Sequence, residues 1–408
     1  MPAKGAQVDV IVGGGVVGLS VAWRMAREGR PVTVVDPAPG KGASYAAAGM
    51  LAPVSEVTYT EGPLLRLGVA SLRRWPAFAA ELAADAGFTA EGGVARAEAR
   101  ALDLRADGTL DVAFGADDMA ALGELAAYME KLGLPVERLT GRECRRLEPM
   151  LAPSVRGGLL APGDAWVDPR RVTAALLAAL ERLGVPVVRA RATGLLYEGG
   201  RVAGVRLAPP SSDQEPEHEP EHEHEPEHGP GEVPGEARGE VRGERVVVAA
   251  GAWSSELAEV PVRPVKGQIM RLRSPRPLLS RCVRGTVHGS PVYLVPRGDG
   301  ELVVGATQEE MGFDTKVTAG GLYELLRDAR ELVPGVTELE VADVVAGLRP
   351  GTPDNLPLIG PSGTPGLAYA TGHHRGGVLL APLTTAILLG EESELAALCA
   401  PGRFREIS

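Results

Sequence analysis

Aromatic side chains make up only 4% of this 408-residue chain, and cysteine occurs three times. Few rings exclude an aromatic core. Abundant glycine (53) and proline (34) point instead to many tight turns around an alanine- and leucine-built interior. Cys144, Cys282 and Cys399 lie far apart, show no C-x-x-C spacing and are odd in number. That argues against a metal cluster and against a disulfide framework, and a reducing cytoplasm is the expected compartment. No apolar run approaches ~18 residues, and no charged-then-apolar leader precedes the first strand, so neither a membrane span nor secretion is expected. A basic stripe is missing too, which excludes a nucleic-acid surface. The formal charge of −11 is mostly local: residues 211–245 carry twelve acids against three arginines, leaving the rest of the chain near −2.

With 44% apolar and 23% charged residues, the composition is that of an ordinary globular enzyme, and the length favours two domains or one with a large insertion. Residues 8–36 read as strand, glycine turn, helix and strand, one βαβ unit closed by Gly29 at the helix end. Amphipathic helices are expected over 115–133, Pro169–Leu183 and Ala319–Leu332, and a last helix over Gly377–Leu389. Between Val262 and Thr307, short apolar runs separated by turn signals have the grammar of an antiparallel sheet. A strand is expected near Val341–Leu348 and another at Leu367–Thr371. Segment 211–245 repeats Glu-Pro-Glu-His units and interrupts a hairpin expected between Val202–Leu207 and Arg245–Ala249. Its composition predicts disorder, and a solvated idle loop is favoured over metal scavenging by His218, His222, His224 and His228.

Gly13-Gly14-Gly15-Val16-Val17-Gly18 fits G-x-G-x-x-G between a strand and a helix, and Asp36 ends the next strand, 18 residues beyond Gly18. Gly13 permits the tight turn, Gly15 the approach of a pyrophosphate, and Gly18 the packing of helix on strand. The helix N-terminus offers its N–H groups to phosphates, and Asp36 would accept from ribose hydroxyls, which disfavours a 2′-phosphate. These residues do not decide between FAD and NAD. The small residues of Gly42-Ala43-Ser44-Tyr45-Ala46-Ala47-Ala48-Gly49-Met50-Leu51 suit a flat ring lying close to backbone.

That segment, with the Rossmann motif and Gly372-His373-His374-Arg375-Gly376-Gly377-Val378-Leu379-Leu380-Ala381-Pro382, resembles the D-amino-acid oxidase superfamily of flavoproteins. Within it, the last motif, Asp164–Pro169 and Ala346–Asp354 resemble the glycine oxidase (ThiO) branch. The resemblance covers nearly the whole chain outside 211–245. It implies a Rossmann-type α/β FAD-binding domain (1–78, 140–260 and 340–408) interleaved with an α+β substrate domain on an antiparallel sheet (79–139 and 261–339). Noncovalent FAD would be held by Gly13, Gly15, Val16, Val17, Gly18, Asp36 and Pro37. Ser44, Ala48, Gly49 and Met50 would run along the ring, with Thr193 near adenine and Gly251 in the second dinucleotide-proximal turn. His373, His374, Arg375, Gly376, Gly377, Val378 and Leu379 would bind or flank it at the other end. No cysteine stands beside this terminal motif, which argues against a covalent flavin link.

The same resemblance implies that Arg349 grips a substrate carboxylate, that Tyr293 orients it, and that Arg375 sits at the pocket edge. A planar guanidinium fork matches a carboxylate, which is the physical reason for an arginine there. The helix starting at Gly377 would aim its positive end at the region where charge accumulates on the ring. No general base is required if the amine enters neutral, so no histidine is nominated; His288 is expected to serve its loop, and Lys266 to be a solvated sheet lysine. Pro291 and Gln308 replace a histidine and a methionine of the compared oxidases at the pocket wall, so the preferred side chain is left open.

The expected reaction is oxidation of glycine, with O2 as electron acceptor and an imine serving thiamine biosynthesis as product, in a cytoplasmic homo-oligomer, possibly a tetramer on the family pattern. The alternatives are a broader D-amino-acid or sarcosine oxidase, a dehydrogenase, and a noncatalytic flavin- or metal-buffering protein. No metal site is expected.

Overall fold

The computed structural model describes residues 8–88, 101–209 and 239–407. One sheet grows from strands buried on both faces. Asp9–Val12 is buried at all four positions, and Val32–Val35 and Arg245–Val248 are each buried at three. Such strands need layers on both sides, which is the setting of a parallel sheet. The observed order is Leu358–Pro361, Leu367–Thr371, Arg245–Val248, Asp9–Val12, Val32–Val35, Val187–Val188, parallel throughout except for the first pair. The one acid in this interior, Asp9, is 6% exposed and held by Arg245 at 3.0 Å and Arg30 at 2.6 Å. Helices Val16–Arg27, Pro169–Arg182 and Gly377–Leu389 bury Leu19, Trp23, Leu176 and Leu383 in a common core.

Helix Gly377–Leu389 contains Pro382, whose missing N–H and ring disturb the usual ladder. Ser71 repairs it. Its hydroxyl donates to the Leu379 carbonyl at 2.6 Å and accepts from the Leu383 N–H at 3.3 Å, while Trp75 Nε1 donates to the same carbonyl at 3.0 Å.

The second sheet has eight strands, ordered Glu340–Gly351, Arg263–Arg273, Glu301–Gly305, Ser290–Pro296, Cys282–Val287, Thr109–Ala113, Gly157–Ala161, Glu137–Thr140. All neighbours are antiparallel except Cys282–Val287 with Thr109–Ala113. Strands Gly157–Ala161 and Glu340–Gly351 fall in segments expected to belong to the cofactor domain, so the boundaries drawn from sequence cut through this sheet.

Two further expectations are corrected. Arg201–Leu207 does not pair with Arg245–Val248; its partners are Ala192–Glu198 and Glu240–Arg242, while Arg245–Val248 lies in the parallel sheet. The last residues of the expected disordered segment thus include strand Glu240–Arg242, and its remainder, 211–238, lies outside the described residues. Lys266 is not solvated: it is fully buried, with Nζ 3.5 Å from Glu309 and 3.7 Å from Asp314.

Candidate active site

A cavity of about 1240 Å³ opens between the two sheets and is lined by both. At one end the glycine turn forms its wall. Gly13 has φ +116°, and a Cβ there would meet the Ala249 carbonyl oxygen at 2.2 Å; at Gly18 it would meet the Gly13 carbonyl oxygen at 1.9 Å. Gly18 therefore packs helix against turn and does not itself line the cavity, whereas Gly13, Gly15, Val16 and Val17 do. Asp36 fastens the turn by accepting from the Gly14 N–H at 2.6 Å and the Ala38 N–H at 2.7 Å, and both Asp36 and Pro37 remain on the cavity wall. The Ser44 hydroxyl accepts from the Val16 N–H at 2.9 Å, tying the small-residue segment to the helix start.

That segment continues along the wall through Ala48, Gly49 and Met50. Gly49 has φ +78°, and a Cβ would lie 2.0 Å from the Val167 carbonyl oxygen. Arg297, 2% exposed, holds the segment from behind by donating to the carbonyls of Val167 at 3.1 Å and Ala48 at 2.5 Å. Gly251 lines the cavity close to this end, beside Trp253. Thr193 is exposed on its strand and off the wall; Arg191 and Ala192, one turn of the pleat earlier, are on it, and Arg191 pairs with Glu256 at 2.6 Å.

At the other end, His373, His374, Arg375, Gly377 and Val378 line the cavity, whereas Gly376 and Leu379 do not. Leu379 is instead bonded through its carbonyl to Ser71 and Trp75. His373 Nε2 lies 2.9 Å from the Thr384 hydroxyl, which itself donates to the Leu380 carbonyl, so the imidazole donates. Burial pushes His373 down to about 3. Burial, followed by the charges of Arg375 and Arg349, pushes His374 down to about 4. Both rings are neutral at working pH, and neither serves as a titrating base there. His374 also adopts φ +47°, and its Nδ1 is buried without a partner.

The floor is the eight-stranded sheet, and two of its glycines make room for two long side chains. A Cβ at Gly267 would lie 2.3 Å from Arg349 Nη1, and one at Gly305 would lie 2.5 Å from the Tyr293 ring. Arg349 thus reaches across the Arg263–Arg273 strand and donates to the Thr307 carbonyl at 3.2 Å. Tyr293 reaches across the Glu301–Gly305 strand toward it. Burial pushes the phenol up to about 12 despite the nearby Arg349, so it is a neutral donor. Pro291 and Gln308 are exposed residues on the same cavity wall. Arg375 pairs with Glu61, which also accepts from Asn355 Nδ2 at 2.8 Å. Burial raises the Glu61 pKa, but Arg375 and Asn355 outweigh it and hold the carboxyl below its ordinary range.

Several residues here escaped the sequence reading. Arg284 is the cross-strand neighbour of Tyr293, pairs with Asp111 at 3.3 Å and donates to the Ser55 carbonyl at 2.8 Å. Glu56 lies on the wall with it. Gln268 is fully buried and fixes the start of helix Ala319–Leu332 by accepting from the Thr318 N–H at 2.9 Å. An arginine or glutamine inside an apolar strand was the available signal for Arg284 and Gln268, and one directly after such a strand for Arg297.

The cavity fits a flavin dinucleotide on its own terms: a cradle in which a Cβ at Gly13, Gly14 or Gly49 would collide with its neighbours, a helix start whose N-cap, Gly15, has no side chain, and the orphaned Nδ1 of His374. None of the three cysteines lines it; burial pushes Cys144 up to about 11 and Cys282 and Cys399 to about 12, which leaves inert thiols. Among the described residues no acid, histidine and cysteine cluster could hold a metal ion, and no helix is long and apolar enough to cross a membrane.

Comparison with known proteins agrees with this geometry. A glycine oxidase of Geobacillus kaustophilus is 33% identical over 401 residues, covering 96% of this chain and 94% of that protein. A bifunctional ThiO/ThiG protein of Nostoc is 32% identical over 93% of this chain, which spans only about half (51%) of that longer relative. The crystal structure of the Geobacillus kaustophilus glycine oxidase superposes with a TM-score of 0.80 at 29% identity, covering 97% of this chain and 99% of that one. That of a Bacillus cereus glycine oxidase gives 0.79 at 26% identity, with 97% and 99% covered. Residues 10–390 match the FAD dependent oxidoreductase family (DAO), and the chain belongs to that family.

Proposed function

We propose that this protein is a glycine oxidase that binds FAD noncovalently and oxidises the carbon bearing the amino group of glycine. The observation that carries the proposal is the convergence of Arg349 and Tyr293, each laid over its own glycine, on the floor of the cavity whose far wall is the dinucleotide cradle. In this reading the six-stranded sheet carries the cofactor and the eight-stranded sheet the substrate.

Gly13, Gly15, Val16, Val17 and Asp36 hold the pyrophosphate and ribose; Ser44, Ala48, Gly49 and Met50 run beside the ring; His373, His374 and Gly377 close its other end. Bound FAD supplies the two-electron acceptor, which O2 reoxidises with release of H2O2. The work of the chain's own residues is positioning. Arg349 presents its guanidinium to the substrate carboxylate, and the neutral Tyr293 phenol donates to the same group. Arg375, its charge matched by Glu61, borders the substrate and adds little net positive charge. With both imidazoles poor bases, neither takes up the ammonium proton, and the amine enters in its neutral form. The N–H groups at the start of helix Gly377–Leu389 direct a positive dipole into the cavity. The imine and its hydrolysis products, glyoxylate and ammonia, complete the balance. Supply of that imine to thiamine biosynthesis belongs to this reading, as does a cytoplasmic homo-oligomer.

The exposed positions of Pro291 and Gln308 favour a second reading, a broader D-amino-acid or sarcosine oxidase. Anaerobic mixing with glycine, sarcosine, D-alanine and D-proline separates the two. Bleaching of the visible flavin band by glycine, reversed by air with H2O2, is the expected result. Bleaching only by the bulkier amines replaces the substrate and keeps the chemistry. No bleaching by any of them defeats both readings.

A further inference from the structure

A second cavity, of about 520 Å³, shares no lining residue with the first. Only a thin wall separates them. Trp166, on the second cavity, pairs in register with Met50 on the first, and Arg297, on the second, donates to the carbonyl of Ala48 on the first.

This second cavity is rich in donors that lack acceptors. Trp166 is fully buried and its Nε1–H has no partner. Arg297 uses both terminal nitrogens on carbonyls and leaves its Nε–H unpaired. Arg105 donates from Nε to Asp103 at 2.7 Å, and its terminal nitrogens have no acceptor among the described residues. The principal acid on the wall, Glu148, is already spent: it accepts from the Ser280 N–H at 3.1 Å, from the Ser280 hydroxyl and from Arg281 Nε at 3.1 Å. The Trp166 and Arg297 donors are buried without acceptors, which is rare in native structures and calls for an occupant, while the Arg105 side chain is 40% exposed. Burial holds the Arg297 guanidinium below its ordinary pKa, with Arg271 lowering it further and Asp168, Asp103 and Glu301 opposing. An oxyanion oxygen satisfies such donors and brings a charge that pairs with guanidinium, which neutral water does not.

We propose that this cavity binds a small oxyanion, a carboxylate or a phosphate, through Arg105, Arg297 Nε and Trp166 Nε1, and that its occupancy reaches the flavin-facing segment through the Arg297–Ala48 bond. The site is separate from the substrate site and independent of which amine the enzyme oxidises.

The test titrates the full-length, FAD-loaded protein with acetate, phosphate and sulfate at constant ionic strength, balanced with chloride. Tryptophan fluorescence and the visible flavin band are followed together. A saturable change in both is expected with acetate or with phosphate, and the tighter of the two identifies the anion class. Arg105→Gln removes a charged donor at a partly exposed position and should weaken the midpoint about tenfold. Trp166→Phe should weaken the midpoint of the flavin-band response, and Arg349→Gln, which removes the carboxylate grip proposed for the substrate cavity, should leave the phosphate titration and the tryptophan component intact. A response that is absent, or linear and equal for all anions, overturns the proposal in favour of water alone. So does a response that survives Arg105→Gln and disappears in Arg349→Gln, because the anion is then in the substrate cavity. Thermal midpoints and flavin content identify any variant that fails to fold, and Trp166→Phe, which keeps an aromatic ring and removes the N–H, is then read by the midpoint of the flavin-band response.

Discussion

Adding one methyl group at Gly267 tests the proposed substrate grip without touching a residue that meets substrate. The new Cβ would stand 2.3 Å from Arg349 Nη1, and ordinary contact begins at 3.4 Å, so the guanidinium must retreat by about 1.1 Å. The obstacle is the far end of a flexible side chain, so the strand itself need not move, and Gly→Ala within a sheet tends to stabilise by about 0.4–1 kcal/mol through the unfolded chain. Fold and flavin content should survive. The grip should not: a misplacement of roughly 1 Å in a positioning group costs on the order of 100-fold, or about 2.7 kcal/mol at 1.36 kcal/mol per decade. Steady-state oxygen consumption gives kcat/KM for glycine, and the visible spectrum with thermal melting reports the fold. Gly267→Ala should lose kcat/KM by roughly 30- to 100-fold with an unchanged or slightly higher Tm. A folded, yellow variant with wild-type kcat/KM would show that Arg349 does not hold the carboxylate from where it lies.

Other outcomes follow from the same geometry. Gly13→Ala places a methyl 2.2 Å from a backbone oxygen that cannot retreat, at φ +116°, so purified protein should carry little or no flavin, measured as the ratio of visible to 280 nm absorbance. His373 and His374, pushed down to about 3 and about 4, should contribute no inflection to the kcat/KM profile between pH 6 and 8; His374→Gln removing such an inflection would contradict this. Because both folded values lie below the ordinary 6.5, the unfolded chain binds these protons first, so their stabilising contribution is complete above pH 6.5 and is lost as pH falls toward 4 and then 3, which melting across that range should reveal. Replacing residues 210–238 by a short glycine-serine turn should leave turnover and Tm unchanged, since the Leu207 N–H donates to the Gly239 carbonyl at 2.7 Å and the ends already meet. Loss of turnover in that variant would favour a working role for the Glu/His segment.

Much of the cofactor half was legible because its constraints are local. A glycine at φ +116° between a buried strand and a helix is written within a few residues, and helices Ala319–Leu332 and Gly377–Leu389 fall where periodicity and glycine placed them. Partners of strands were less legible. The apolar run Val202–Leu207 says strand but not which neighbour, and its true partners include Glu240–Arg242, too polar to attract notice. Arg349 and Tyr293 were found through resemblance to a family; no spacing in the sequence reveals that Gly267 and Gly305 lie beneath them. Charged residues in strands were misjudged for a physical reason. Alternation assigns Lys266 to solvent, but the loop that bears Glu309 and Asp314 folds over it, and that is a long-range event.

The clamp of Arg297 on the Ala48 and Val167 carbonyls has a consequence for how such enzymes diversify. The arginine directly follows strand Ser290–Pro296 of the eight-stranded sheet, and the Ala48 carbonyl belongs to the segment that lines the cavity. The halves are therefore not interchangeable modules. A chimera that takes its eight-stranded sheet from one relative and its six-stranded sheet from another inherits a mismatched clamp at the cavity wall. New specificities in this architecture are reached more readily by exchanging single side chains on the sheet face above Gly267 and Gly305 than by recombining whole domains.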